Sequence, residues 1–251
     1  MNWELEGQAV FITGAGRGLG RSVAELLAKN GVSVGICDVD AKTCKAAQDA
    51  ILKAGGKAAA YVFDASDREA FMAAAREFAE LNGRIDAVVN NAMLLRYEPI
   101  EQVTPEVMDQ MMGVGIKGSV WGAQALLAHM DKERGGAIIN MASPVAEKGF
   151  PNTSIYSLVK GALVTLTKAL SAELGPRKVR VNAVAPGSVP TPGALGLNTK
   201  EEYERRTRTI PLRRLGAADD NAQGVAFLLS PAAAFINGEI LHVDGGIAAA
   251  G

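Results

Sequence analysis

The chain has 251 residues, 48% of them hydrophobic and 21% charged, with a formal net charge of −1. That balance fits a folded protein with a sizeable core and gives no argument for binding nucleic acid or a membrane surface. No run reaches the ~18 consecutive apolar residues of a membrane span, and the first seven residues lack the basic-then-apolar pattern of a secretory signal. Two cysteines, Cys37 and Cys44, do not make a disulfide framework, so a reducing cytoplasm is the simplest compartment. His129 and His242 have no clustered partners in the sequence, so no catalytic metal is expected.

In chain order, a short apolar strand over 9–13 runs directly into Gly14-Ala15-Gly16-Arg17-Gly18-Leu19-Gly20, and a helical run follows over 21–30. Glycines between a strand and a helix let the backbone approach a pyrophosphate, and the helix's first N–H groups and dipole favour it. Taken alone, such a turn is also an ordinary tight connection. A second strand over 33–37 ends at Asp38, about twenty residues on, where a carboxylate accepts the hydroxyls of an adenosine ribose. A helix over 41–54 stops at Gly55-Gly56, and a strand over 58–64 leads to a helix over 67–81 that closes on Asn82-Gly83. After a strand over 86–92, Thr104-Pro105 opens a long helix reaching about residue 130. A strand over 137–143, a helix over 153–174 and strands over 179–185 and 239–243 complete the pattern. Apolar strands alternating with helices predict an α/β fold, a doubly wound parallel sheet with helices on both faces, in one domain over 1–251. The segment 187–215 breaks this rhythm with Pro190, Pro192, Gly193 and Gly196, then a charged run from Lys200 to Arg206. Its place at the ligand end of the sheet suits a lid. The charges read as a solvated helix face, or alternatively as a site where Arg205, Arg206 or Arg208 meets an anionic substrate group.

The chemistry centres on Tyr156 and Lys160, four residues apart and therefore on one face of a helix. A phenol near its ordinary pKa of ~10 is a poor acid or base at neutral pH. A neighbouring ammonium is expected to lower it toward useful proton transfer. Ser143 ends the strand thirteen residues before Tyr156, where a hydroxyl can hold the oxygen of a carbonyl or alcohol.

These residues, taken with others in order, resemble the classical short-chain dehydrogenase/reductase family from about residue 7 to residue 246. Thr13-Gly14-x-x-x-Gly18-x-Gly20 is similar to its cofactor turn, Asn90-Asn91-Ala92 to its strand-four motif, and the segment from Ile236 to Gly246 to its last strand. The resemblance implies a Rossmann-like seven-stranded sheet. It also implies catalysis by Ser143, Tyr156 and Lys160, helped by the backbone carbonyl at Gly115. A nicotinamide cofactor would be held by Gly14, Arg17, Gly18, Leu19, Gly20, Asp38, Asp64, Ala65, Asn91, Ala92, Tyr156, Lys160, Pro186, Gly187, Val189 and Thr191. Arg213 and Arg214 fall where the family often carries arginine and are read as structural. Asp38 favours the ribose 2′-hydroxyl of NAD over the 2′-phosphate of NADP, whereas Arg17 favours NADP. Val39 supplies no second cation, and NAD is the expected cofactor.

Two positions depart from the family pattern. Met93 stands where a glycine usually follows Ala92, and Gly115 stands where the long helix usually carries an asparagine. Glycine keeps the carbonyl that holds a relay water and bends readily, so exchanging Gly115 for Asn is expected to change kcat by less than about tenfold. The pocket residues Met93, Leu94, Leu95, Pro144, Val145, Glu147, Phe150 and the loop 190–197 are mostly apolar. The expected activity is NAD-dependent interconversion of a secondary alcohol and its ketone, the substrate hydrophobic or aromatic, in a homotetramer. The alternative is a cofactor-binding scaffold or regulatory protein with weak catalysis.

Overall fold

In the computed structural model, which describes residues 3–193 and 199–250, seven strands form one parallel sheet in the order β3-β2-β1-β4-β5-β6-β7. The strands are β1 (Ala9–Thr13), β2 (Ser33–Asp38), β3 (Lys57–Val62), β4 (Ala87–Asn90), β5 (Gly136–Met141), β6 (Val179–Pro186) and β7 (Ile240–Val243). Between them run α1 (Gly18–Lys29), α2 (Ala41–Lys53), α3 (Arg68–Asn82), α4 (Pro105–Met112), α5 (Gly118–His129), α6 (Ser154–Leu174), α7 (Lys200–Thr209) and α8 (Ala218–Leu229).

Alternation of side chains along the central strands fills both faces. Val10 and Ile12 of β1 point to the side covered by α1, α2 and α8, where Val23, Leu27, Ile51 and Val225 complete the core. Phe11 points to the opposite side, against Phe71 and Phe78 of α3 and in the same core as Leu126 of α5. Because both faces are covered, β1 is buried at every residue, which is why it reads as an unbroken apolar run.

The strand order reverses at β1. Its neighbours are β2 on one side and β4 on the other, with Val10 opposite Val34 and Ala87. The crevice at such a reversal, beyond the C-terminal ends of the strands, is where open α/β sheets take their ligands. Here it is stitched by Thr13, whose hydroxyl accepts the amides of Asn91 and Ala92, both at 3.0 Å. The Asn91 side chain donates back to the carbonyls of Thr13 and Gly14, both at 2.9 Å. The fourth strand therefore ends at Asn90 rather than at residue 92.

The expected long helix is not uniform. Between α4 and α5 the residues Gly113–Lys117 form a π-helical turn. A buried polar chain then ties this region to the helix beyond β5. Asn90 Nδ2 donates to the Ser119 carbonyl at 3.3 Å and to Asn140 Oδ1 at 2.8 Å. Asn140 Nδ2 donates to Thr167 Oγ1 at 2.9 Å, fixing the rotation of α6 against the sheet.

Candidate active site

The glycine turn has the shape a pyrophosphate needs. Gly14 has φ +62°, and a Cβ there would stand 2.8 Å from the Ala92 backbone, so only glycine lets β1 and β4 close up at this point. Gly16 donates its amide to Asp38 Oδ2 at 3.0 Å, which fixes the carboxylate at the end of β2. No side chain caps α1, because the residue before it, Arg17, is extended and exposed. Its first-turn amides are left for an anion. A Cβ on Gly18 would lie 3.5 Å from Thr191, so the segment after β6 reaches back over the turn. These features fit a dinucleotide.

The remaining cofactor candidates lie on α1, on the segment after β3, and at and after the end of β6. Asp64 Oδ1 accepts the Ser66 amide and hydroxyl, both at 2.8 Å, which shapes the loop after β3 around buried Ala65. Leu19 packs into the core beneath α1. Pro186 ends β6, Gly187 donates to the Val243 carbonyl at 3.0 Å, and Val189 accepts the Thr191 amide at 2.9 Å. The expected lid contains α7, and the part of the Pro190–Leu197 loop past Gly193 lies outside the described residues.

Ser143, Tyr156 and Lys160 meet beyond the end of β5. Lys160 is only 4% exposed and donates to the Met141 carbonyl at 2.5 Å. Its ammonium lies 5.5 Å from the centre of the Tyr156 ring, within cation–π range. Burial lowers the Lys160 pKa to about 8.

The phenol departs from the sequence expectation. Burial raises the Tyr156 pKa above its ordinary value and the nearby Tyr97 adds to the rise, while a hydrogen bond from Ser143 offsets part of it. The ammonium of Lys160 is engaged by the Met141 carbonyl. What the geometry offers is a neutral phenol able to give a proton, beside a lysine that titrates near neutral pH.

Gly115 lies in the π-helical turn, and its carbonyl accepts the Ser119 hydroxyl at 2.7 Å. The carbonyl is thus kept, as expected, but it is already partnered. The neighbouring space is closed. A Cβ on Gly115 would stand 3.0 Å from the Met93 sulfur and closer still to buried Val159. An asparagine here would have to displace Val159 or Met93.

Sequence reasoning missed three side chains. Ser119 was legible, since it lies one helical turn after Gly115, where a hydroxyl commonly bonds the carbonyl four residues back. Tyr97 packs edge-on against Tyr156, with ring centroids 5.5 Å apart. Tyr203, on α7, has its hydroxyl buried. Neither tyrosine carries a sequence signal, because they come from a loop and from α7, far apart in the chain. Arg213 and Arg214 are structural, as expected: Arg213 donates to the Arg208 carbonyl, and Arg214 makes a bidentate pair with Asp220 at 2.6 and 3.0 Å. Glu147 Oε2 lies 3.4 Å from His242 Nε2.

A family model described as enoyl-(acyl carrier protein) reductase matches residues 14–248. An uncharacterized oxidoreductase of Methylorubrum extorquens is 38% identical, the match covering 97% of this chain and 99% of its own. A short chain dehydrogenase of Burkholderia cenocepacia, solved in complex with NADP, superposes with a TM-score of 0.90 at 32% identity over 97% of this chain and 98% of its own. A 7α-hydroxysteroid dehydrogenase, solved with NADH and 7-oxo glycochenodeoxycholic acid, superposes at 0.93 with 31% identity over 98% of this chain and 96% of its own.

Proposed function

The chain belongs to the short-chain dehydrogenase/reductase family, and from that premise we propose that it transfers hydride between NAD(H) and a secondary alcohol or its ketone. The observation that carries this reading is the convergence of Ser143, Tyr156 and buried Lys160 beside the glycine turn that follows β1.

A bound nicotinamide supplies the hydride chemistry. Gly14, Gly18 and Gly20, with the uncapped start of α1, hold its pyrophosphate, and Asp38 accepts from the adenosine ribose. Asp64, Ala65, Asn91 and Ala92 line the cleft, while Pro186, Gly187, Val189 and Thr191 close over it. In reduction, the Ser143 hydroxyl orients the carbonyl oxygen and the Tyr156 hydroxyl gives that oxygen its proton. Lys160, with its pKa near 8, restores a proton to the tyrosine and holds the ribose. In oxidation the same protons move the other way.

NAD is favoured over NADP because Asp38 is fixed at the ribose edge, and the next residue, Val39, is exposed and uncharged. The related structures use both cofactors, so the preference rests on these residues. The expected pocket residues Met93, Leu94, Leu95, Pro144, Val145 and Phe150, with the one carboxylate Glu147, are mostly apolar, which supports a hydrophobic or aromatic substrate body. Assembly as a homotetramer is supported by α5, which carries no charged residue before His129, and by Leu158 of α6, which is 48% exposed. Two buried free thiols, Cys37 and Cys44, support a cytoplasmic location; among the described residues no helix is long and apolar enough to cross a membrane.

Loss of reduced-nicotinamide absorbance over a panel of hydrophobic ketones tests the reading. Binding of NADH with no turnover on any ketone would instead favour a cofactor-binding scaffold, a reading to which the Ser119-capped carbonyl of Gly115 lends its one support.

A further inference from the structure

The lid helix α7 turns one stripe toward the body of the protein. Tyr203, Arg206, Thr207 and Ile210 are spaced as one helical face and are all at least partly buried. Charge on this part of the helix does not cancel. Glu202 accepts from Arg205 at 2.7 and 2.9 Å and from Arg206 Nε at 2.9 Å. One carboxylate facing two guanidiniums leaves one positive charge. Arg206 Nη1 donates to Ser188 Oγ at 3.0 Å, and its Nη2 has no hydrogen bond among the described residues.

One helical turn away on the same face is a phenol that lacks a partner. Tyr203 Oη is buried and makes no hydrogen bond. A buried donor left unmade is costly, and a ligand oxygen would relieve it. Tyr97 connects this pair to the reaction centre. Its ring stands edge-on to that of Tyr156 at 5.5 Å. Its hydroxyl is raised in pKa mainly by burial, with Arg206 opposing the shift and Tyr203 adding to it, so both lid residues lie within electrostatic reach. An open groove of about 670 Å³ runs along α7 past Tyr203, lined also by Lys200, Glu204, Thr207, Arg208 and Leu215 but not by Arg206. It does not include Ser143, Tyr156 or Lys160, and it borders the lid rather than the reacting atoms.

We infer that Arg206 and Tyr203 receive an oxyanion at the far end of the substrate, so that the chain acts on alcohols or ketones whose apolar body ends in a carboxylate or sulfonate. The inference rests on the dehydrogenase reading above and adds to it a substrate class. The carbonyl sits at Tyr156, the body passes Tyr97, and the anion meets the unpaired charge and phenol of α7. Partial burial of Arg206 strengthens the attraction compared with a fully exposed guanidinium.

The test is steady-state reduction of three probes: a phenyl ketone with a terminal carboxylate, its methyl ester, and the analogue with a terminal sulfonate. Wild type should show a kcat/KM at least about tenfold higher for one or both acids than for the ester, mostly through KM, and rising salt should erode that preference. Which acid is preferred identifies the anion. Arg206→Gln should bring the acid-to-ester ratio down to about threefold or less. Tyr203→Phe, which removes a hydroxyl that holds nothing in the fold, should lower the ratio severalfold without loosening α7. Turnover of the ester at the same efficiency as both acids, or an acid-to-ester ratio unmoved in both variants, overturns the inference and leaves the dehydrogenase reading standing. No turnover of any probe overturns both.

Discussion

The Met93 sulfur occupies the space in which a side chain on Gly115 would have to stand, 3.0 Å from the position of its Cβ. The two departures from the family pattern are therefore one structural exchange. A larger residue after β4 fills the room that a smaller residue in the π-helical turn leaves open. Gly115→Asn alone should destabilise the protein by about 1–3 kcal/mol, the usual cost of overpacking. Adding Met93→Gly should recover part of that loss, with stiff, buried Val159 preventing full recovery. Urea unfolding of wild type, both single variants and the double variant measures the coupling, expected at about 1 kcal/mol or more. Additivity of the two single effects would show that the residues do not share this space.

Tyr156→Phe should lower kcat by ~10²–10⁴-fold, the range of a general acid or base. The ring would still pack against Tyr97, and NADH affinity, read by fluorescence titration, should stay within about threefold. A Phe variant that keeps more than about a tenth of wild-type kcat would remove Tyr156 from the proton-donor role.

Asp38→Ala should weaken NAD binding and strengthen NADP binding. It removes the ribose acceptor and the repulsion of a 2′-phosphate together, and leaves Arg17 as the nearby cation. The Gly16 amide also loses its 3.0 Å partner, so some loss with both cofactors is expected beneath the switch. The informative quantity is the ratio of the two kcat/KM values. Wild type preferring NADP would reverse the assignment of Asp38.

Lys160 makes a pH-dependent demand on stability. Its pKa falls from the ordinary lysine value of 10.5 to about 8 on folding, so between those values the unfolded chain binds more protons than the folded one. Its contribution therefore rises with pH across that window; the cost of burying the ammonium is full below about pH 8 and relieved above the unfolded value. At 1.36 kcal/mol per unit the swing is roughly 3 kcal/mol. Cys37, Cys44 and Tyr156, all raised by burial, act in the opposite sense at alkaline pH. The difference between wild type and Lys160→Met isolates the lysine. Wild type should gain stability relative to the variant as pH is raised from 7.5 to 9.5, measured by urea unfolding at about those two values. A difference independent of pH would mean that Lys160 is not held in the way its burial implies.

The sequence reveals what is local in this site and hides what is assembled. Asp38, the glycine turn and the Tyr156/Lys160 pair are legible because a strand end, a turn and one face of a helix each fix their own residues. The limits of β4 are not, since the amides of Asn91 and Ala92 go to the Thr13 hydroxyl rather than to a neighbouring strand. The π-helical turn at Gly113–Lys117 is equally hidden, because neither glycine marks where one extra residue enters the helix. Tyr97 is placed by the loop beyond β4, which is tied to the segment before α6 by the Glu98 amide donating to the Asn152 carbonyl at 2.9 Å. Nothing short-range in the chain announces that tie.

The seam between β1 and β4 also has a kinetic meaning. It joins residues 10 and 87, a closure that comes late because distant segments must first meet. The C-terminal end of that seam, fastened by Asn91 to Thr13 and Gly14, is the floor of the dinucleotide cleft. Before the two halves join there is no cleft to occupy. A bound dinucleotide should therefore act as a brake on unfolding and leave the rate of refolding almost untouched.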